Sequence, residues 1–334
     1  MDLLVITPWK EEWFSSEVFS YPEIFYLKER LKGKFEYEVI SPGEKPKYDK
    51  YKTVWCQSEI PYPYAREMVK KVKPNKFVVS IYGIFERFPL RLRNKILYPL
   101  HLYRYRRLDY AFKGGADLFL ITDDGSLGYK LAEKYKANYI TLLNPKPNFT
   151  KMDKTLARKI LKVPQDSVIG AFIGRFSKFK GIEFLPKIYK KGDPYDLILV
   201  GSGDAKNLRT WAEEVGSIII EQTPHASMNL VYSAVDFVIM PYIYGNITAV
   251  MVESLYFGLP TVSFKAHSTD RIIKNGENGF YAENFKVKDF RDFCIILSKD
   301  EKLREKMGKG ARESSRIFPT WQEHTDKIIQ AIIQ

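Results

Sequence analysis

Two stretches, VIGAFIGRFSKFKG at Val168–Gly181 and LILVGSGD at Leu197–Asp204, decide how the rest of the chain is read. Val168–Ile173 is a short apolar run without the spacing of a helix face, so it reads as a buried strand. It stops at Gly174, and a helix is predicted to begin near Gly181. Leu197–Val200 is a second such run and stops at Gly201 and Gly203. A helix is predicted over Ala205–Val215. Strands that alternate with glycine turns and helices imply a parallel sheet covered on both faces.

The same alternation extends in both directions. Toward the C-terminus, strands are predicted at Ser217–Glu221, Phe237–Met240, Thr261–Ser263 and Gly279–Tyr281. Helices are predicted at Met228–Ser233 and Ala249–Phe257. Toward the N-terminus, strands are predicted at Asp2–Thr7, Glu36–Ile40, Thr53–Gln57, Lys76–Tyr82, Asp117–Thr122 and Tyr139–Leu143. Helices there fall at Ser20–Lys32 and Pro63–Val72. The segment NPKPNFTKMD, Asn144–Asp153, holds two prolines and little periodicity, and reads as a linker. The expected fold class is therefore α/β, with two doubly wound Rossmann-like domains facing a cleft. They span residues 1–148 and 154–318, and a helix over 320–334 packs back on the first. A length of 334 residues agrees with about two domains.

Composition excludes a disordered chain, with 45% hydrophobic and 28% charged residues. Lys and Arg number 53 against 40 Asp and Glu, a net charge of +13, which points to anionic partners. Cys56 and Cys294 lie far apart and form no disulfide framework or metal-ligand spacing; they read as buried free thiols. The histidines, His101, His225, His267 and His324, are scattered and do not suit a multi-histidine metal centre. Leu3–Thr7 is too short for a secretory core, and no apolar run approaches the ~20 residues of a membrane span. A cytoplasmic location is expected.

Ligands of open parallel sheets bind at the carboxyl ends of strands. Three loops of the second half stand there. In GRFSKFKG, Gly174–Gly181, Arg175 offers a planar fork and Lys180 a point charge. Together they suit a diphosphate, or form an ordinary solvated basic loop. Gly201 and Gly203 let the backbone approach a ligand, or close a tight turn. In PYIYGNITAVMVE, Pro241–Glu253, backbone amides near Thr248 could meet an anion. Glu253 lies on a largely apolar helix and would need a partner or a ligand, such as two vicinal hydroxyls, unless it faces solvent.

The ordered set GRFSKFKG, LILVGSGD, VYSAVDFVIMPY, VMVESLYFGLPTVSF and IIKNGENGFYAEN resembles the nucleotide-sugar domain of the retaining GT-B glycosyltransferases, the large GT4-like family. The likeness runs over about Ile169–Asn284, and FPTWQEH at Phe318–His324 resembles the family's terminal helix. The resemblance implies that Arg175 and Lys180 hold the donor diphosphate and stabilise the leaving group. It implies that Gly174, Gly201 and Gly203 line the nucleotide site and that Glu221–Pro224, with Glu221 and Thr223, lies against the base. Asn246, Ile247 and Thr248 would supply amides to the donor, and Glu253 would hold the ribose hydroxyls. A nucleoside-diphosphate sugar is then the co-substrate, and no metal or other cofactor is expected. The family's first glutamate of E-x7-E falls at position 245, where this chain has Gly245. Its N-domain histidine has no counterpart in VWCQSE or VSIYGIF. Tyr82 and Asp123 stand as acceptor-side candidates; Asp123 and Asp124 read equally well as an N-cap for a helix over Leu127–Tyr135.

From Arg87 to Lys113 there are eight Lys/Arg residues and one acid, Asp109, interleaved with Leu, Ile and Tyr and divided by Pro99 into two helical pieces. Arg91, Arg93, Lys95, Arg104, Arg106 and Arg107 suit an anionic membrane surface, a nucleic-acid backbone, or the solvated face of a helix packed by its leucines. The leading expectation is a retaining transfer of a sugar to a lipid or glycan acceptor, peripheral to the membrane's inner face. The alternatives are an enzyme glycosylating nucleic acid, and a sugar-nucleotide or membrane binding module without activity.

Overall fold

In this computed structural model, the described residues are 1–14, 22–82, 98–125, 128–203, 205–221, 223–243, 247–265 and 268–333. They form two compact units: unit 1 is Met1–Asn144 with Trp321–Gln334, and unit 2 is Pro145–Thr320.

Unit 1 contains β1 (Leu3–Ile6), α1 (Lys10–Phe14), α2 (Pro22–Leu31), β2 (Tyr37–Ile40), β3 (Thr53–Gln57), α3 (Tyr62–Val72), β4 (Lys76–Ile81), α4 (Tyr98–Gly114), β5 (Leu118–Asp123), α5 (Tyr129–Lys134) and β6 (Tyr139–Leu143). Unit 2 contains α6 (Lys154–Leu161), β7 (Ile169–Ile173), α7 (Leu185–Ile188), β8 (Asp196–Val200), α8 (Lys206–Val215), β9 (Ile218–Ile220), α9 (Met228–Ala234), β10 (Phe237–Met240), α10 (Ala249–Phe257), β11 (Thr261–Phe264), α11 (Thr269–Ile272), β12 (Gly279–Ala282), α12 (Val287–Lys299) and α13 (Glu301–Ser314). The last helix, α14 (Trp321–Ile333), belongs to unit 1.

Each unit holds one six-stranded sheet, in the orders β2-β1-β3-β4-β5-β6 and β12-β11-β10-β7-β8-β9. All strand pairs within the two sheets are parallel. Strand β1 shows why. Leu4 and Ile6 join the cluster of Tyr62, Ala65 and Leu108, while Leu3 and Val5 join Trp13, Leu27 and Ile328 on the other face. Successive residues point to opposite faces, and both faces are covered, so the strand reads as an unbroken apolar run.

The segment read as a linker packs within unit 2. The Phe149 ring lies 5.9 Å from that of Phe257, and the Met152 amide donates to Ser233 Oγ at 3.0 Å. The helix expected near Gly181 is not there. Residues 178–180 and 182–184 form two 3-10 turns, and α7 begins only at Leu185. Pro99 sits in the first described turn of α4, where a missing N–H costs nothing, and the helical piece expected before it lies outside the described residues. Arg91, Arg93 and Lys95 lie outside the described residues.

Candidate functional site

In unit 2 the chain runs outward through β8 and β9, then returns to the other side of β7 as β10. Loops that leave the carboxyl ends of two such strands diverge, and ligands of open sheets bind where they part. The loop after β7 carries Arg175 and Lys180. The loop after β10 leads into α10.

Glycines permit these loops to touch. Gly181 has φ +71°, and a Cβ there would stand 1.8 Å from the Pro241 carbonyl oxygen. Gly174 has φ +144°, and its Cβ would stand 2.8 Å from the Tyr242 hydroxyl. That contact also accounts for the missing helix start, because the backbone at Gly181 is left-handed and pressed against its neighbour. Tyr242 is fully buried and donates its hydroxyl to the Ile173 carbonyl. Burial, with the nearby Glu253, pushes its phenol well above the ordinary range, so it stays a donor. The Lys180 ammonium lies 3.9 Å from the centre of the Tyr242 ring, a cation–π contact that fixes its place above the turn. The exposed Arg175 side chain makes no ion pair or hydrogen bond with any described residue.

The loop after β8 lies directly against this turn. The amides of Gly174 and Phe176 donate to the carbonyls of Val200 and Ser202, both at 2.8 Å. Gly201 has φ +153°, and a Cβ would come within 2.0 Å of the Gly174 oxygen; at Gly203 it would come within 2.8 Å of the Phe176 oxygen. Backbone-on-backbone packing therefore explains these two glycines. Glu221 is exposed and pairs with Arg209 at 2.6 Å. Arg209 also donates to the Gly203 carbonyl at 2.9 Å, tying Glu221 to the glycine loop. The Thr223 hydroxyl is buried without a hydrogen-bond partner among the described residues.

Helix α10 is buried over Met251–Leu255 and includes Glu253, which is 5% exposed. A bare carboxylate in that setting would be costly. Both its oxygens have protein partners. Tyr232 Oη donates to Oε2 at 2.6 Å, and His225 Nε2 lies 2.8 Å from Oε1. Burial first, and then the Glu253 charge, hold the Tyr232 phenol far above its usual range, which keeps its proton on. Glu253 is thus neither a solvent-facing residue nor a group that only a ligand could satisfy. At the head of α10, Thr248 is the N-cap with extended backbone, and its buried hydroxyl has no partner among the described residues. No described side chain caps the helix, so its first-turn amides have no side-chain acceptor among the described residues. Ile247 is fully buried, while Gly245 and Asn246 lie outside the described residues.

In unit 1 the sheet order reverses between β1 and β3. Polar residues gather at the carboxyl ends of these and the adjoining strands. Tyr82, past β4, donates to Glu23 Oε1 at 3.2 Å, and its ring lies 6.0 Å from Trp9. Asp123 ends β5 and is 6% exposed. It accepts the Gly125 amide at 3.4 Å, and α5 is described from Tyr129 with Gly128 at its N-cap. Gln57 and Glu59 are also buried there, and Ser58 has φ +86°. On α4, Arg106 is exposed and Arg107 half-buried, while Leu108, Ala111 and Phe112 pack inward. The side chain of Arg104 falls outside the description. Cys56 and Cys294 are free, buried thiols, both raised in pKa first by burial. No group of three or more His, Cys, Asp or Glu able to hold a metal occurs among the described residues.

His225, Tyr232 and Tyr242 are site residues that sequence reasoning did not single out. Tyr242 stood within the quoted loop, but nothing in its spacing marked it as the support for Lys180.

Two parallel, doubly wound sheets with loops gathered at their strand ends define the GT-B class of fold. Residues 153–314, within unit 2, match the family of glycosyl transferases group 1. The D-inositol 3-phosphate glycosyltransferase of Corynebacterium glutamicum is 25% identical over 177 residues, 48% of this chain and 42% of that protein. The chain spans about half the length of the curated relatives it matches. Among solved structures, sucrose-phosphate synthase from Thermosynechococcus elongatus superposes with a TM-score of 0.76 at 14% identity, covering 99% of this chain and 98% of that one. Anabaena HepE in complex with UDP-glucose gives 0.70 at 15% identity, covering 99% of each chain.

Proposed function

We propose that the protein is a glycosyltransferase that moves a hexose-type sugar from a nucleoside-diphosphate sugar to a lipid or glycan hydroxyl, with retention and without a metal. The bond from the anomeric carbon to the diphosphate oxygen breaks, a bond from that carbon to the acceptor oxygen forms, and the acceptor hydroxyl gives up its proton. Charge grows on the departing diphosphate, so cations placed to meet it lower the barrier. The observation that carries the reading is the juxtaposition at the switch point of unit 2. Arg175, which has no ion-pair partner among the described residues, Lys180 held on the Tyr242 ring, and the head of α10, which no described side chain caps, all border the diverging loops there. A solved neighbour of the same fold, Anabaena HepE, was captured with UDP-glucose, which supports a donor of that chemical class. Glu253 meets the ribose hydroxyls in this reading. The acceptor is met by unit 1, with Tyr82 and Asp123 as the polar candidates.

The test is a thermal-shift panel of UDP, GDP, ADP and pyrophosphate. Ligand at a hundred times its dissociation constant stabilises the native state by about 2.7 kcal/mol. At least one nucleoside diphosphate is expected to raise the midpoint; none doing so at millimolar concentration overturns the reading. Glu253→Gln should then weaken the nucleoside diphosphate more than pyrophosphate, by calorimetry. Equal losses for both contradict the ribose role.

An anionic membrane surface is the proposed setting. Its support is on α4, where Arg106, Tyr110 and Lys113 are exposed at helical spacing, with Tyr110 at 52%.

A further inference from the structure

Glu253 is held from two sides by side chains of very different exposure. Tyr232, on α9, is fully buried and grips Oε2 from within. His225 comes from a different place, the 3-10 turn His225–Ser227 beyond β9, and its side chain is 23% exposed against 6% for Glu253. The open edge of this cluster is therefore at the histidine. A carboxylate only accepts hydrogen bonds, so the 2.8 Å contact requires the imidazole proton on Nε2. The ring cannot swing away freely, because Phe149 meets it edge-on with centroids 5.3 Å apart and is itself packed on Phe257.

We infer that His225 is a positioning residue for nucleotide recognition: its Nε2–H fixes Glu253 Oε1 so that the carboxylate presents its remaining lone pairs to the 2′- and 3′-hydroxyls of a ribose. This rests on the ribose role proposed for Glu253. A carboxylate has about four acceptor sites. Tyr232 and His225 each take one, on different oxygens. One site on each oxygen remains, which matches two vicinal hydroxyls that each donate one hydrogen bond. Without His225, Oε1 loses its one partner among the described residues and the carboxylate can pivot about the Tyr232 bond. The pair of acceptors then no longer faces the ligand as a unit. Selectivity for ribose over 2′-deoxyribose is thus set partly by a residue that does not contact the sugar through its own function.

The experiment is calorimetric titration of wild type, His225→Ala, His225→Asn and His225→Gln with UDP and 2′-deoxy-UDP, with the GDP and ADP pairs in parallel. Circular dichroism melts confirm folding. Wild type is expected to favour the ribonucleotide. His225→Ala should shrink that preference by about tenfold, the scale of one charge-assisted hydrogen bond, and affect the deoxynucleotide little. His225→Asn places its amide too short and should behave like alanine. His225→Gln sets an amide N–H near the Nε2 position and should restore most of the preference. Equal loss for both nucleotides, or an unchanged preference in the folded variants, overturns the inference while leaving the ribose reading intact. A wild type that binds the two sugars equally, or binds none of these ligands, overturns the ribose reading itself and this inference with it.

Discussion

Arg175 and Lys180 differ in how they are held, although both stand on the same turn. Lys180 is anchored on the face of Tyr242, whereas Arg175 is exposed and makes no ion pair among the described residues. Replacing either by alanine should weaken nucleoside-diphosphate binding by roughly 1.5–3 kcal/mol, the scale of a hydrogen bond to a charged group. Calorimetry on the folded variants checks this, and unchanged affinity in both would remove the diphosphate from this turn. Tyr242→Phe should cost less, because the ring under Lys180 survives. The positions of these two cations on a strand-end turn and of Glu253 on an apolar helix were legible in the sequence, because each breaks an apolar or glycine-rich context. His225 was not. Its partner is 28 residues away on another element, and no period links a 3-10 turn to a helix that the fold alone brings within 2.8 Å. The glycines were legible as necessary but not in their reason: Gly201 yields to the Gly174 carbonyl, a contact between loops that neither loop announces.

At the scale of elements, the strands were the most legible parts. Runs such as Thr53–Gln57 and Phe237–Met240 are buried along their whole length, so hydrophobicity alone delimits them. Helix starts were less legible where tertiary contact overrides local preference, as at Gly181. Element junctions also hide polar work. Arg158, on α6, is 4% exposed and donates to the carbonyls of Ala234, Gln165 and Ser167 and to Asp236 Oδ2 at 2.8 Å. Asp236 in turn accepts the Ile169 amide at 2.7 Å, so one ion pair joins α6 to the starts of β7 and β10. Arg158→Ala leaves that carboxylate buried with a lost partner, and should destabilise the protein by about 3–5 kcal/mol in urea unfolding. A loss under 1 kcal/mol would mean that Lys154, which also pairs with Asp236, carries the charge alone.

For the whole molecule, the net charge of +13 favours any anionic surface, so charge by itself does not choose a partner. The α4 stripe offers a sharper test. Sedimentation with phosphatidylserine vesicles should capture the protein, and phosphatidylcholine vesicles should not. Reversing Arg106 and Lys113 to Glu should weaken capture by roughly 1 kcal/mol or more for each site. Equal retention of the reversed variant, or stronger binding to DNA than to vesicles at moderate salt, would move the membrane contact elsewhere or replace it. No helix among the described residues is long and apolar enough to cross a membrane.

Unit 2 is one uninterrupted insert, and the polypeptide comes back to unit 1 only with α14. Ile328, Ala331 and Ile332 of that helix complete the same apolar face as Leu27 and Trp55. A ribosome working from the N-terminus therefore delivers all of residues 145–320 before the first-made half has its last wall. The earlier half must wait, greasy side open, until the 13 residues of α14 have been made.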